Sequence, residues 1–116
     1  MHMTRSETAL FARIKQEILK AWQEGHGGSA EEVHLFQGED GLIVLVPQAL
    51  YQAELDLYSN SSGGGRVLNK YLRTLLYTVT SEFLPLAAEI TGKPMDEVVP
   101  LIDLKAGWAI AYFRTK

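Results

Sequence analysis

The chain has 116 residues, a formal net charge of -3 at pH 7 and no cysteine, which suits one domain with its own core and excludes disulfides and thiolate sites. Its scattered basic residues argue against nucleic-acid binding, which requires clustered Lys and Arg. No stretch approaches the ~20 apolar residues of a membrane span or the core of a secretory signal, so we expect a cytoplasmic protein without direct membrane insertion.

A first helix is predicted to end near Gly25. We interpret residues 1–3 as a cloning remnant plus the natural start at Met3, so the expected single domain covers 4–116. Thr4 and Glu7 have the spacing of a capping box at a helix start. The apolar residues that follow lie on one helical face: Leu10, Phe11, Ile14, Ile18, Leu19 and Trp22.

Two strands are predicted next, separated by a hairpin turn. Residues 33–36 are rich in large and branched side chains, which favour a strand. The segment Gly38-Glu39-Asp40-Gly41 is typical of a tight turn. Residues 42–46 are all apolar, which predicts a central strand covered on both faces, and Pro47 ends it.

Residues 48–94 predict a short helix over 48–58, a Ser/Gly-rich loop over 59–65 and then one long amphipathic helix. The long helix would run from Gly65 to Thr91, which is roughly 40 Å at 1.5 Å per residue. Gly92 and Pro94 mark its end. Pro85 lacks the N–H of one helical hydrogen bond, so we expect a kink near 81–85.

The chain closes with two further predicted strands, over 97–104 with an irregularity at Pro100 and over 108–114, with a turn at 105–107 between them. The element order is then α-β-β-α-α-β-β. Because two hairpins can join into one sheet, we expect a two-layer α+β domain. Its four-stranded, mostly antiparallel sheet would be packed by one long helix and two shorter helices.

One candidate ligand site is the glycine-rich start of the long helix. Free amides and the positive end of the helix favour an anion there, and an arginine could add a bidentate contact. The residues concerned are Gly63, Gly64, Gly65 and Arg66. They match neither a phosphate loop nor a dinucleotide motif, and such glycine runs are more often flexible connectors.

No catalytic set, cofactor or metal site is predicted. His26, interpreted as a loop residue, and His34, expected on the exposed face of its strand, have no second ligand at metal spacing. The acidic pairs fall in loops or at element starts, where solvated acids normally lie. No Gly-x-Ser-x-Gly motif is present, so an enzyme with an unrecognised site is only a third possibility.

The tyrosines and nearby basic residues suggest a binding surface. Tyr and Arg are the residue types most enriched at protein interfaces. Each tyrosine taken singly is more often core filling, but the set favours a partner interface. The candidate residues are Tyr51, Tyr58, Arg66, Lys70, Tyr71, Arg73 and Tyr77.

Several short motifs are distributed over nearly the whole chain: Glu24-Gly25-His26-Gly27-Gly28, Leu42–Val46, Ala53-Glu54-Leu55, Gly65-Arg66, Arg73, Glu89-Ile90-Thr91-Gly92-Lys93 and the closing hairpin with Asp103. Together they resemble the MpsC-like family. The resemblance implies a soluble accessory of a membrane-potential-generating system linked to cation and bicarbonate uptake. Two departures are Gly-His-Gly-Gly where the family has Gly-x-Gly-Pro, and the serine-rich loop before Gly65. No catalytic residue carries over.

The leading hypothesis is a non-enzymatic accessory or adaptor that binds another protein within inorganic-carbon or ion-transport machinery. The partner would be a membrane transporter component or a large assembly, whose terminal peptide could add to an edge strand. A homodimer through the long helix or a sheet edge is also expected. The alternative is a sensor of a small anion (bicarbonate, phosphate or a nucleotide) that uses Gly63–Gly65 and Arg66.

Overall fold

The computed structural model describes residues 5–28, 30–60 and 63–116. Its elements are helix α1 (Arg5–His26), strands β1 (His34–Gly38) and β2 (Gly41–Val46), helices α2 (Gln52–Asn60) and α3 (Gly64–Thr80), a 3₁₀ turn (Ser81–Phe83), helix α4 (Leu84–Thr91), and strands β3 (Met95–Asp103) and β4 (Trp108–Thr115). The strands form one sheet in the order β1-β2-β4-β3, and every neighbouring pair is antiparallel. The predicted two-layer α+β fold and its element order are confirmed.

The hydrophobic core lies between the helices and one face of the sheet. Alternate residues of a strand point to the same face, and the inward set on β2 and β4 is almost fully buried. This set consists of Leu42, Val44, Val46, Ala109, Ala111 and Phe113. Ile14, Ile18 and Trp22 of α1 and Leu72 of α3 are equally buried and complete the same cluster. The core therefore joins the two hairpins through their central strands.

The helical stretch predicted over 65–91 is present, but it is interrupted where the kink was expected and is not one continuous helix. Helix α3 ends at Thr80, a 3₁₀ turn occupies Ser81–Phe83, and α4 begins at Leu84. The break lies where the kink was expected, because Pro85 has no N–H to donate to the carbonyl four residues earlier and its ring crowds that turn. The longest helix of the described residues is α1, with 22 residues against 17 for α3.

Strand β2 is covered on one face only, so the prediction that residues 42–46 are buried on both faces is also wrong. Ile43, which points away from the helices, is 40% exposed. The reason is topological, because the core helices pack against the opposite face and none of the described residues forms a second layer over the outer one.

Smaller differences concern element ends. Helix α2 begins four residues later than expected and includes Ser59 and Asn60, which were predicted as loop. The irregularity of β3 lies between Met95 and Glu97 rather than at Pro100. The predicted capping box of Thr4 and Glu7, and Ser61 and Ser62 of the predicted loop, lie outside the residues whose side chains are described.

Candidate functional site

Two of the three glycines of the predicted anion site, Gly63 and Gly65, have structural roles in this fold, and Gly64 is the first residue of α3. Gly63 is the residue before the first turn of α3 and has a φ of 82°, a backbone conformation that favours glycine. A Cβ atom on Gly65 would lie 2.9 Å from Cδ2 of Tyr58, so glycine allows that ring to pack closely. Arg66 is exposed beside them. Anion binding at Gly63–Gly65 and Arg66 stays a prediction.

Helix α3 brings together four of the predicted partner residues. Arg66, Lys70, Arg73 and Tyr77 follow each other at helical spacings of three and four, so they form one stripe along the helix. We call this stripe the basic ridge. Tyr71 is 58% exposed but lies on another side of α3, beside the exposed Val67, and does not belong to the ridge.

The basic ridge borders an open groove between α3 and the edge strand β3. Lys70, Arg73, Thr74 and Tyr77 line it from the helix and Pro100 lines it from the strand, and its volume is about 340 Å³. Helix α3 contains three basic residues and no Asp or Glu. Within the described residues, ion pairs form elsewhere and none reaches the ridge. Its positive charge is therefore not neutralised by a neighbouring carboxylate.

Tyr51 and Tyr58, also predicted as interface residues, make contacts inside the fold. The Tyr51 hydroxyl donates to the carbonyl of Gly27, and the Tyr58 ring packs over Gly65. Each ring still exposes 42% of its surface. The structure thus separates the predicted interface residues into the basic ridge, the isolated Tyr71, and two tyrosines that tie helix ends together.

The structure contains a polar cluster around His26 that the sequence did not predict. His26 is the last residue of α1 rather than a loop residue, and its side chain is only 2% exposed. Its ring lies between Trp22 and Tyr51, with ring centroids at 4.6 and 4.8 Å. Nε2 of His26 is 2.8 Å from Oε1 of Glu54, so this nitrogen carries the proton that the carboxylate accepts.

Glu54 connects this cluster to the start of α2. Its Oε1 also accepts a hydrogen bond from the backbone N–H of Tyr51 at 2.8 Å, which is the carboxylate half of a capping box. The sequence signal was incomplete, because Tyr51 stands where such a box has Ser or Thr. Among the described residues, Nδ1 of His26 has no hydrogen-bond partner. Because its ring is buried, His26 is not accessible to a substrate. Its role is structural, since it links the end of α1 to Glu54 of α2.

Replacing Glu54 by alanine is expected to lower the free energy of unfolding by about 2 kcal/mol, because a helix cap and a partly buried hydrogen-bond acceptor are lost together. Urea unfolding followed by circular dichroism measures this change. Asp56→Ala is the matched control on the same helix, since Asp56 is exposed and its one partner among the described residues is Gln52, from which it accepts a hydrogen bond at 3.0 Å. A Glu54→Ala loss no larger than the control's would contradict a stabilising role for the cluster.

The described residues contain neither a metal-binding cluster nor a membrane-spanning helix. No group of three or more His, Cys, Asp or Glu side chains in them is arranged to hold a metal ion. None of the helices in the described ranges has the length and hydrophobicity to cross a membrane. No protein-family profile, curated protein or solved structure matches the chain. The resemblance to the MpsC-like family therefore stays a prediction.

Proposed function

We propose that this chain is a non-enzymatic, cytoplasmic accessory or adaptor protein that binds an acidic segment of another protein along the basic ridge. The observation that carries the proposal is the uncompensated positive charge of Arg66, Lys70 and Arg73 beside a tyrosine-lined groove. The resemblance to the MpsC-like family would place the partner in inorganic-carbon or ion-transport machinery, as a membrane transporter component or a larger assembly.

The ridge has the composition of a recognition surface rather than of a solvated helix face. An ordinary exposed helix mixes both signs of charge at spacings of three and four residues, which neutralises them locally. Helix α3 carries one sign only, on a chain whose net charge is -3. Complementary charge raises the association rate and excludes wrong partners, and Tyr77 adds apolar contact area at the groove wall.

The neighbouring edge of β3 limits how the partner can bind. Pro100 has no N–H to offer to an added strand, and the carbonyl of Ile102 already accepts from Nδ2 of Asn69 at 3.4 Å. These features protect an edge strand against pairing with another chain. A partner at the groove is therefore expected to contact side chains of the ridge rather than to extend the sheet along β3.

Reversing two charges of the ridge tests the proposal. Affinity capture from the native host, quantified by mass spectrometry, should recover the partner with the wild-type chain and at least 10-fold less with Lys70→Glu/Arg73→Glu. Recovery by the wild type should also fall as salt rises, because exposed charges are screened over about 10 Å at 0.1 M salt. The recovered protein should contain an acidic segment.

The matched control is Lys15→Glu/Lys20→Glu, which changes the net charge equally at two exposed positions of α1. It should recover the partner as the wild type does. A partner set unaffected by the Lys70→Glu/Arg73→Glu reversal would contradict the proposal.

The alternative function, a small-anion sensor, has its own test. Titration calorimetry with bicarbonate, phosphate and a nucleotide, on the wild type and on Arg66→Ala, distinguishes it from the adaptor. Heat that disappears in Arg66→Ala would favour the anion sensor.

A further inference from the structure

The middle of the outer face of the sheet, which points away from the helices, is apolar across the four strands. The strand register places Phe36, Ile43, Tyr112 and Val99 in one cross-strand row, and His34, Leu45, Ile110 and Leu101 in the next. Side chains directly opposite each other in such rows lie ~5 Å apart and contact. We call the seven apolar residues of these two rows the outer patch.

Three of the seven residues of the outer patch are exposed and the other four are half-buried, although residues of these types normally form a buried face. Phe36 is 54% exposed, Leu101 49% and Ile43 40%. Antiparallel sheets with one face in water normally alternate apolar residues inward with polar residues outward. Here the positions of both central strands within the two rows, Ile43, Leu45, Ile110 and Tyr112, are apolar as well. This is the same pattern that predicted burial on both faces for residues 42–46, and a second layer over the outer patch would satisfy it.

The size of this face suits a specific interface. Four strands spaced ~4.8 Å apart and roughly 24 Å long present a flat footprint of about 450 Å². Stable protein–protein interfaces bury about 800 Å² on each partner. The accessible area of this face exceeds its flat footprint because the side chains protrude from the sheet, and a polar rim adds further buried area. The outer patch occupies the middle of this face, and the charged residues Arg114 and Glu97 lie at one end of it.

The charges of this face favour a second copy of the same chain. Neither row contains Asp, Glu, Lys or Arg, so two copies related by a two-fold axis bring apolar surface onto apolar surface without central like-charge repulsion. His34 lies at the margin and contacts Glu32 at 3.3 Å. At one end Arg114 contacts Asp96 at 2.7 Å and Glu97 at 3.7 Å, and the hydrogen bond to Asp96 raises the pKa of Arg114. The rim therefore offers both signs of charge.

We infer that two copies of this chain associate through their outer patches, sheet face against sheet face. Two sheets packed in this way lie ~10 Å apart and interdigitate their side chains as in a β-sandwich. Most homo-oligomers are two-fold dimers in which one patch meets itself, which an apolar, centrally uncharged face permits. The inference uses a surface distinct from the basic ridge and involves neither the long-helix nor the sheet-edge contact expected from sequence.

Sedimentation velocity on the full chain tests the dimer directly. The wild type at about 100 µM should sediment as a dimer of the 12.9 kDa chain, whereas Ile43→Lys, and separately Leu101→Lys, should dissociate at least 10-fold more readily while keeping the wild-type circular dichroism spectrum. Val67→Lys is the matched control, because Val67 is a 71% exposed apolar residue on α3. It should remain dimeric.

A second measurement covers the possibility that a charged variant fails to fold. The chain has no cysteine, so Ile43→Cys introduces a single thiol. Its maleimide labelling should be at least 10-fold slower at 100 µM than at 0.1 µM, whereas Val67→Cys should label equally fast at both concentrations. A monomeric wild type, a dimer that persists in both lysine variants, or labelling of Ile43→Cys that is independent of concentration would overturn the inference. Failure of the Lys70→Glu/Arg73→Glu experiment to support the proposed partner would not contradict the dimer inference, because the two use different surfaces.

Discussion

Trp22→Ala is expected to lower the free energy of unfolding by about 3–5 kcal/mol, the range for deletion of a large buried aromatic side chain. Trp22 is fully buried, and its Nε1 donates a hydrogen bond to the carbonyl of Ala49 at 3.0 Å. It also stacks on His26. The substitution thus removes core volume, a buried hydrogen bond and the support of the His26 ring. Urea unfolding followed by circular dichroism measures the loss.

Two further variants separate these contributions. Trp22→Phe retains a buried ring but leaves the Ala49 carbonyl without its donor, so it should cost about 1–3 kcal/mol. Tyr71→Ala is the matched aromatic control, because Tyr71 is a helical residue that is 58% exposed, and it should change stability by less than about 1 kcal/mol. If Trp22→Ala and Tyr71→Ala cost the same, Trp22 does not anchor the core.

Gly41→Ala is expected to lower the free energy of unfolding by about 1–3 kcal/mol, because one extra methyl group overfills a closely packed site. Gly41 begins β2 opposite Arg114 of β4. A Cβ atom there would overlap the backbone carbonyl of Phe113 and lie 2.7 Å from Cε1 of Tyr112. A backbone carbonyl in a central strand cannot move aside without shifting the β2–β4 pairing. Thermal and urea unfolding both report the effect.

Gly38 provides a matched control for Gly41 on the other side of the same turn. The two glycines face each other in the β1–β2 register, but a Cβ atom on Gly38 would meet no atom within 4 Å. Gly38→Ala should therefore leave stability unchanged or raise it by up to about 1 kcal/mol through a less flexible unfolded chain. Equal losses at both glycines would show that the turn conformation matters rather than the contact with β4.

The basic ridge could be predicted in part from sequence, and the His26 cluster could not. The ridge residues lie within about three turns of one helix, so the helical period alone places Arg66, Lys70, Arg73 and Tyr77 on one side. His26 and Glu54 are 28 residues apart, and only the packing of α1 against the start of α2 brings them within hydrogen-bond distance. Local patterns carry no information about such a pair.

The sequence by itself determined the secondary structure and the two-layer class, because the periods of apolar residues and the positions of Gly and Pro act over a few neighbouring residues. It also located the break at Pro85, although the structure shows a 3₁₀ turn where a kink was expected. Only the tertiary structure decided which face of each element is covered. The apolar outward face of β2 is predicted as buried because the sequence does not show where the helices pack. In the structure, the helices of the described residues pack against the other face of the sheet.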